Sequence, residues 1–180
     1  MKRLKMILLS ICAIANYAHA GFIKIELDNQ NLAIGEVVTA SLIAELSNPV
    51  DTIDLDILFD TGLFSLNTSS VISNLPSDGI DNFFAFEANS TGAGLTFLSF
   101  DEVFSGSLLL ASFELTALTE GISIFDVQTR DLYNFTLDES YEFSEVIPAN
   151  ANIVTEVPEP SHLALSLFGL ILISRLRKNK

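Results

Sequence analysis

The chain predicts an all-β fold, an antiparallel β-sandwich or jelly roll of about nine strands, over residues 21–156. Three observations lead to this prediction. Apolar and polar residues alternate along most of the segment, which is the period of a half-buried strand. Glycine, proline and asparagine separate the alternating runs at short intervals and supply turns. No internal stretch carries the apolar stripe that an amphipathic helix needs.

Each predicted strand is an alternating run that ends at a turn signal. The longest early run follows Gly35 and places valine, alanine and leucine at every second position. Phenylalanine, which occurs fourteen times in the chain, supplies bulky core side chains. Asp78-Gly79-Ile80-Asp81 and the acidic residues 138–147 are expected in turns or loops. In order, the predicted strands are 23–27, 38–46, 53–57, 83–88, 95–100, 109–117, 122–127, 132–137 and 151–156.

Residues 1–20 have the layout of a secretory signal peptide. Basic residues precede an apolar run over residues 6–15, and Ala18-His19-Ala20 forms a small-x-small cleavage site before Gly21. The alternative is a retained membrane anchor, but the apolar run is shorter than the roughly 20 residues that span a bilayer. We therefore expect signal peptidase to remove this segment. The basic residues are Lys2, Arg3 and Lys5.

Residues 157–180 form a second processing signal: a Pro-Glu-Pro turn, a short transmembrane candidate (162–174) and a basic tail (175–180). As a helix, residues 163–174 would rise about 18 Å, against a hydrocarbon core of about 30 Å. The segment is marginal as a permanent anchor and adequate as a transient one. A buried C-terminal helix is the alternative, but the run is apolar all round and basic residues follow it. The motif residues are Val157, Pro158, Glu159 and Pro160, and the membrane-stop residues are Arg175, Arg177, Lys178 and Lys180.

In this fixed order, the three elements resemble the PEP-CTERM sorting tail of exported proteins from exopolysaccharide-producing Gram-negative bacteria. The resemblance implies export through the Sec translocon, a transient single-pass stage in the inner membrane, and recognition of the Pro-Glu-Pro motif by an exosortase. It also implies delivery to the cell surface or the extracellular matrix, where exopolysaccharide or another surface protein would be the partner. The basic tail is expected to stay cytoplasmic.

The exported part of the chain is strongly acidic. All 23 acidic residues lie between Glu26 and Glu159, and only Lys24 and Arg130 are basic in residues 21–160, which gives that segment a net charge of −21. Such a charge repels nucleic acid and anionic lipid, so neither is an expected partner. Divalent cations and neutral or cation-bridged polymers are compatible with it.

The side-chain inventory of the domain argues against an enzyme. Cysteine occurs only at Cys12, histidine only at His19 and His162, and the chain has no tryptophan. The domain therefore lacks the residues for Ser-His-Asp or Cys-His catalysis and for histidine-bound zinc or iron. A glycosidase with paired carboxylates would need a cleft with aromatic sugar platforms, and only Tyr133 and Tyr141 remain as tyrosines.

Asp54, Asp56 and Asp60 are the candidate metal ligands. The first two share one face of a strand by the alternation of side chains, and Asp60 falls at the turn after it. Calcium binds clusters of carboxylate and carbonyl oxygens of this kind. A solvated outer strand face is the alternative, and it is favoured because the chain has no Asp-x-Asp-x-Asp-Gly loop here. We therefore expect no cofactor, with calcium kept as the alternative.

Parts of the domain are similar to cohesin-like domains. Ala33-Ile34-Gly35-Glu36-Val37-Val38 opens a long strand, and a later strand closes on Phe59-Asp60. Residues 109–115, followed by Gly121-Ile122-Ser123-Ile124, look like the later strand pair of that family. The likeness covers residues 22–137 and implies a nine-stranded jelly roll used for binding, not for chemistry. It does not match a dockerin-binding surface residue by residue, so cellulosome function is not implied.

Together these features predict an exported, non-enzymatic β-sandwich protein of the cell surface or biofilm matrix, sorted through its C-terminal tail. The alternative is a membrane-tethered adhesion module that binds carbohydrate or calcium.

Overall fold

The strands of the domain form two sheets that pack face to face. A computed structural model of the chain describes residues 21–155. The predicted signal peptide (1–20) and sorting tail (157–180) lie outside the described residues. In chain order, the strands are β1 (Gly21–Leu27), β2 (Asn31–Ala33), β3 (Val37–Val50), β4 (Thr52–Leu58), β5 (Phe64–Ile72), β6 (Asn82–Asn89), β7 (Gly92–Ser99), β8 (Phe104–Ala117), β9 (Gly121–Asn134), β10 (Glu139–Ser140), β11 (Glu145–Ile147) and β12 (Ala149–Val154).

The two sheets contain five and seven strands. The order is β11-β1-β3-β8-β5 in the smaller sheet and β2-β12-β9-β4-β7-β6 in the larger one, where β10 also pairs with β9. The pairs β1–β11 and β12–β2 are parallel, and the other pairs are antiparallel. Many strands that are neighbours in space are distant in sequence, so the connections cross between sheets as in jelly rolls. The all-β sandwich predicted from the alternation is confirmed.

Alternate side chains of both sheets meet in one core. In β4, Ile53 and Leu55 are buried, while the residues between them lie on the other side of the sheet. Phe125 lies at the centre of an aromatic group, with its ring centroid 5.2 Å from that of Phe64 and 5.6 Å from that of Phe59. Packing of these large rings sets the spacing of the two sheets and so supports the outer faces.

The structure has more strands than the sequence predicts. The missed strands β2 and β5 lie at sheet edges, where little alternation is needed because much of each strand faces solvent. Residues 138–147, expected to form a loop, contain the short strands β10 and β11. These strands are too short for a periodic signal, and their pairing with β9 and β1 is decided by tertiary contacts.

The predicted strands 122–127 and 132–137 are one strand, β9, which ends at Asn134. A bulge joins the two halves. Asp131 pairs with Asp54 and Thr129 pairs with Leu55, so Arg130 is an extra residue in the register. Bulges bend a strand and re-aim a side chain without ending the pairing. The polar interruption in the alternation of β9 therefore marks a bulge and not a turn.

The hairpin between β6 and β7 requires glycine at one position. Gly92 has a φ of 145°, and a Cβ atom there would collide with the carbonyl oxygen of Ile57 and the ring of Phe59. The side chain of Asn89 closes the turn by accepting the N–H of Thr91 at 2.9 Å. This hairpin places β6 at one edge of the larger sheet.

Candidate binding face

The outer faces of the two sheets differ in chemistry. On the smaller sheet, β3 and β8 present mainly serine, threonine and glutamate, and the hydroxyl oxygens of Ser41 and Ser112 lie 3.4 Å apart. On the larger sheet, the outward positions of β12, β9, β4, β7 and β6 carry an ion cluster with apolar side chains on both sides. We call these outward positions the large-sheet face.

The ion cluster joins β9 to β4. Arg130 donates two hydrogen bonds to Asp56, with distances of 2.6 Å from Nε to Oδ2 and 2.5 Å from Nη2 to Oδ1. Asp54 lies farther away, with its Oδ1 3.9 Å from Nη1 of Arg130. The hydrogen bonds and the charge of Asp56, together with the charge of Asp54, raise the pKa of Arg130. A two-point pair of this kind fixes the plane of the guanidinium group.

Neutral side chains complete the cluster. Asn89 donates from Nδ2 to Oδ1 of Asp56 at 3.2 Å, and Thr96 donates from Oγ1 to Oδ1 of Asp54 at 3.3 Å. β6 and β7 supply these two donors, so four strands converge on one small polar centre. Both carboxylates therefore have partners within the protein, and the side chain of Arg130 keeps about half of its surface exposed.

A shallow cavity of about 240 Å³ lies beside this cluster. Arg130, Thr96 and Gly94 form part of its lining, and Phe83 contributes an apolar wall. Gly94 has no side chain opposite Asp56, which keeps the cavity open on the β7 side. The cavity thus has a fixed cation on one side and an aromatic ring on the other, and both residue types are common in protein interfaces.

An apolar row crosses the large-sheet face at one end. Tyr133, Thr52, Leu98 and Phe83 are successive cross-strand partners on β9, β4, β7 and β6. The Tyr133 ring meets Phe135 edge-on, with centroids 5.0 Å apart. The Tyr133 hydroxyl donates a hydrogen bond to Asp138, and this contact raises the pKa of Tyr133. The tyrosine ring is therefore held in one position on the surface.

An exposed isoleucine pair lies at the other end of β9. Ile122 and Ile124 are 71% and 61% exposed, and their cross-strand neighbours on β12 are Asn152 and Asn150. Neighbouring exposed β-branched side chains are costly to hydrate unless another surface covers them. Both ends of the large-sheet face thus carry apolar groups, with the ion cluster between them.

The structure places the candidate metal ligands in two different settings. Asp54 and Asp56 share the large-sheet face, as predicted, and both face Arg130. Asp60 lies beyond the end of β4, where its Oδ1 accepts the N–H of Gly62 at 2.8 Å and supports a turn. Within residues 21–155, no group of three or more histidine, cysteine, aspartate or glutamate side chains is arranged to hold a metal ion.

The other acidic segments support turns. Oδ1 of Asp78 accepts the N–H groups of Ile80, Asp81 and Asn82 at 2.9–3.0 Å, and these hydrogen bonds hold the pKa of Asp78 well below its usual range. Asp138 has a φ of 55°, a turn conformation that aspartate tolerates. Both residues therefore shape the backbone, as expected from the sequence.

The predicted sorting and cleavage residues lie outside the described residues. Within residues 21–155, no helix has the length and apolar character that a bilayer span requires. The candidate span 162–174 is not among those residues, so the sorting tail stays a prediction. The residues concerned are Ala18, Ala20, Val157, Pro158, Glu159, Pro160, Arg175, Arg177, Lys178 and Lys180.

Sequence reasoning did not single out Arg130. Its partner Asp56 is 74 residues away, and a register set by two long strands brings them together. A usable signal was present, because Arg130 and Lys24 are the only basic residues among 21 acidic ones in residues 21–155. In so acidic a domain, an isolated cation is expected to attract carboxylates.

No protein-family model and no curated protein matches this sequence. Solved structures of cohesin modules do match its fold. A cohesin module of a family 33 glycoside hydrolase from Clostridium perfringens aligns with a TM-score of 0.59 at 14% identity, over 77% of this chain and 100% of that module. A non-cellulosomal cohesin from Archaeoglobus fulgidus gives a TM-score of 0.59 at 14% identity, over 80% and 98% of the two chains.

A type I cohesin from Clostridium thermocellum, solved as a cohesin–dockerin complex, gives a TM-score of 0.59 at 10% identity, over 77% of this chain and 97% of that chain. At such identities the likeness establishes a shared fold. The cohesin-like sandwich expected from the sequence is therefore confirmed as the architecture of residues 21–155.

Proposed function

We propose that this chain is an exported, non-enzymatic protein-binding module that presents its large-sheet face to another protein of the cell surface or extracellular matrix. The observation that carries the proposal is the asymmetry of the two sheets. The centre of the smaller sheet, on β3 and β8, is mainly polar, while the large-sheet face combines an exposed isoleucine pair, the aromatic side chains of Tyr133 and Phe83 and a fixed arginine. Arginine and tyrosine are the residue types that most often dominate protein interfaces.

The shared fold supports the proposal in a second way. Modules with this architecture have been solved in complex with dockerin proteins, so the sandwich is able to offer a rigid surface to a protein partner. In this chain, the two-point pair with Asp56 restrains Arg130 before any partner arrives. A restrained side chain loses less conformational entropy on binding, which favours affinity.

Export and sorting form the second half of the proposal. The Sec route would deliver the domain across the inner membrane, and an exosortase would act on Pro158-Glu159-Pro160. The prolines disfavour continuation of a strand or helix, which leaves an extended and accessible segment between the domain and the apolar run. The acidic domain would then join the cell surface or exopolysaccharide matrix.

Cross-linking in the host tests the binding face. We compare the full chain with an Ile122→Asp/Ile124→Asp variant and with an Ile72→Asp control. Ile72 is 65% exposed and lies on β5 of the smaller sheet, so the control places the same charge on the other sheet. A surface protein that cross-links to the wild type and the control, but not to the double variant, supports the proposal. Equal cross-linking of all three proteins contradicts it.

Carbohydrate binding by a tethered module is the second candidate function. The exposed ring of Phe135 and the half-buried ring of Tyr133 favour it, because aromatic rings at a protein surface can pack against sugars. Calorimetric titration with the polysaccharide of the host separates the two candidates. Heat of binding that disappears in a Tyr133→Ala variant would favour the carbohydrate function over protein recognition.

A further inference from the structure

Within residues 21–155, β9 lacks a neighbouring strand along the middle of one side. On that side, β12 pairs with Gly121–Phe125 and β10 pairs with Tyr133 and Asn134. The N–H of Tyr141 extends the second pairing to the carbonyl of Leu132 at 2.7 Å. Among the described strands, none pairs with residues 126–131 on this side.

The gap arises because the chain leaves the larger sheet and then returns to it. After β10, the chain crosses to the smaller sheet, where β11 pairs with β1 in parallel. It then returns as β12 to the other end of β9. The missing stretch is six residues long, about 20 Å at strand spacing. That is the length of a short β-strand.

A groove of about 640 Å³ occupies this gap. One wall is the β9 segment 126–132, and the other is the crossing segment 140–146. Val127, Leu132 and Tyr141 are buried and give the groove an apolar floor. The groove therefore combines an open strand edge with a surface on which alternate side chains can be buried.

The backbone of β9 aims hydrogen-bonding groups into the gap. The N–H of Asn152 donates to the carbonyl oxygen of Gln30, on the β2 side. The backbone N–H and C=O groups of the residues before and after Asn152 therefore point towards β9, where their partners are Ser123 and Gly121. By alternation, the backbone groups of Val127 and Thr129 point into the gap. The N–H of Val127 donates a local hydrogen bond to the carboxylate of its neighbour Asp126 at 2.8 Å.

The acidic side chains around the groove favour a positively charged occupant. Asp126, Asp131 and Glu142 line the groove, while its one cation, Arg130, is already bound to Asp56. Residues 21–155 hold 21 acidic and two basic residues, a net charge of −19, so a strand from a second copy would be repelled. A strand that alternates apolar residues with lysine or arginine would bury its apolar side chains on the groove floor and pair its main chain with β9. Its positive charges would lie beside the acidic residues that line the groove.

We propose that the gap in β9 is a β-augmentation site for an extended, basic segment of a partner protein. The segment would take the place of a neighbouring strand along residues 126–131, with its main chain bonded to Val127 and Thr129. This pairing mode takes affinity from main-chain hydrogen bonds and specificity from alternate side chains. The inference rests on the proposed protein-binding function but uses the open edge of β9, which shares Arg130 with the large-sheet face and lies away from its isoleucine pair.

Selection from a random hexapeptide library against the full chain in detergent micelles tests this inference. We expect the enriched peptides to alternate apolar and basic residues, and to slow hydrogen exchange at the amides of Val127 and Thr129. Methylation of alternate peptide nitrogens should abolish binding, because it removes the main-chain donors. Binding should weaken as salt is added, since charges at the groove rim are screened.

Two protein variants distinguish the contribution of backbone hydrogen bonds to peptide binding from that of the acidic side chains. Thr129→Pro removes an N–H that faces the gap and should abolish peptide binding. Should that proline unfold the domain, the isosteric Asp126→Asn/Asp131→Asn/Glu142→Gln variant carries the test, with affinity expected to drop about tenfold or more. Ile122→Asp/Ile124→Asp is the control for the large-sheet face. It keeps every groove residue and only adds negative charge, so it should bind the basic peptides at least as tightly as the wild type does.

The outcomes distinguish this inference from the proposed function. The augmentation site is overturned if no peptide is enriched, if the enriched peptides lack basic residues, or if hydrogen exchange at Val127 and Thr129 is unchanged. None of these results contradicts the proposed binding function of the large-sheet face. Peptide binding lost only in the Ile122→Asp/Ile124→Asp variant would also overturn it, because the peptides would then occupy the large-sheet face.

Discussion

Arg130 forms a two-point ion pair with Asp56, although 74 residues separate them in the sequence. The pair crosses from β9 to β4, and the bulge at Arg130 sets its geometry. It also engages one of the three carboxylates that the sequence offered as calcium ligands. The same arginine thus organises the centre of the large-sheet face and competes with a metal ion for Asp56.

Calcium is expected to have little effect on this domain. Because Arg130 neutralises Asp56 and Asp60 supports a separate turn, millimolar calcium should leave the melting temperature of the wild type unchanged. Differential scanning fluorimetry with calcium and with a chelator measures this. Arg130→Gln frees Asp54 and Asp56, so calcium should raise the melting temperature of this variant more than that of Lys24→Gln. Lys24→Gln is the matched control because it removes the other basic residue of the domain. A wild-type shift of several degrees that Asp56→Asn abolishes would contradict the expectation.

Gly92→Ala is expected to destabilise the domain. A Cβ atom at position 92 would overlap the carbonyl of Ile57 and the Phe59 ring, and the φ of 145° disfavours any side chain. We expect the free energy of unfolding in urea to drop by about 1–3 kcal/mol. Gly94→Ala is the control, since its Cβ would meet only the Asn89 amide nitrogen at 3.9 Å. Equal losses in the two variants would argue against a backbone cause at Gly92.

Alkaline pH should weaken the fold through Tyr141. Its hydroxyl donates to Oε2 of Glu139 at 2.7 Å, and this hydrogen bond, with burial, raises the pKa of Tyr141 from about 10 to about 12. The folded pKa lies above the unfolded value, so the stabilisation is complete below about pH 10 and is lost as pH rises through about 12. The free energy of unfolding in urea, measured at pH 9, 10, 11 and 12, should decline less with rising pH for Tyr141→Phe than for the wild type. Tyrosinate absorbance that reports ordinary ionisation of Tyr141 in the folded domain would refute the assignment.

Pro158→Ala with Pro160→Ala should leave export intact and block removal of the tail. The physical reason is that alanine permits the segment to adopt regular structure where the prolines keep it extended. Intact mass of the exported protein is the measurement, and the variant should be heavier than the wild type by the uncleaved tail. Ser161→Ala, directly after the motif, serves as the control. Identical masses for the wild type and the double variant would count against exosortase processing.

Fold class and strand positions were predictable because alternation is a local property. The runs that became β3 and β4 show every second side chain apolar, and each is buried on the predicted side. In β8 the alternation holds from Ala111 onward, but a register shift at Leu110 buries that residue and leaves Leu109 partly exposed. The placement of Asp54 and Asp56 on one face followed from the same period. Local pattern failed at β5, β10 and β11, where the strands are polar, short or at an edge.

By itself, the sequence determined an acidic β-sandwich domain without cysteine, and it predicts a processing signal on each side of that domain. Tertiary structure decided which distant residues meet. The register of β9 on β4 brings Arg130 to Asp56, and the crossing through β11 opens the groove beside residues 126–131. Neither feature has a local signature, because strand pairing depends on the burial of whole faces summed over both sheets.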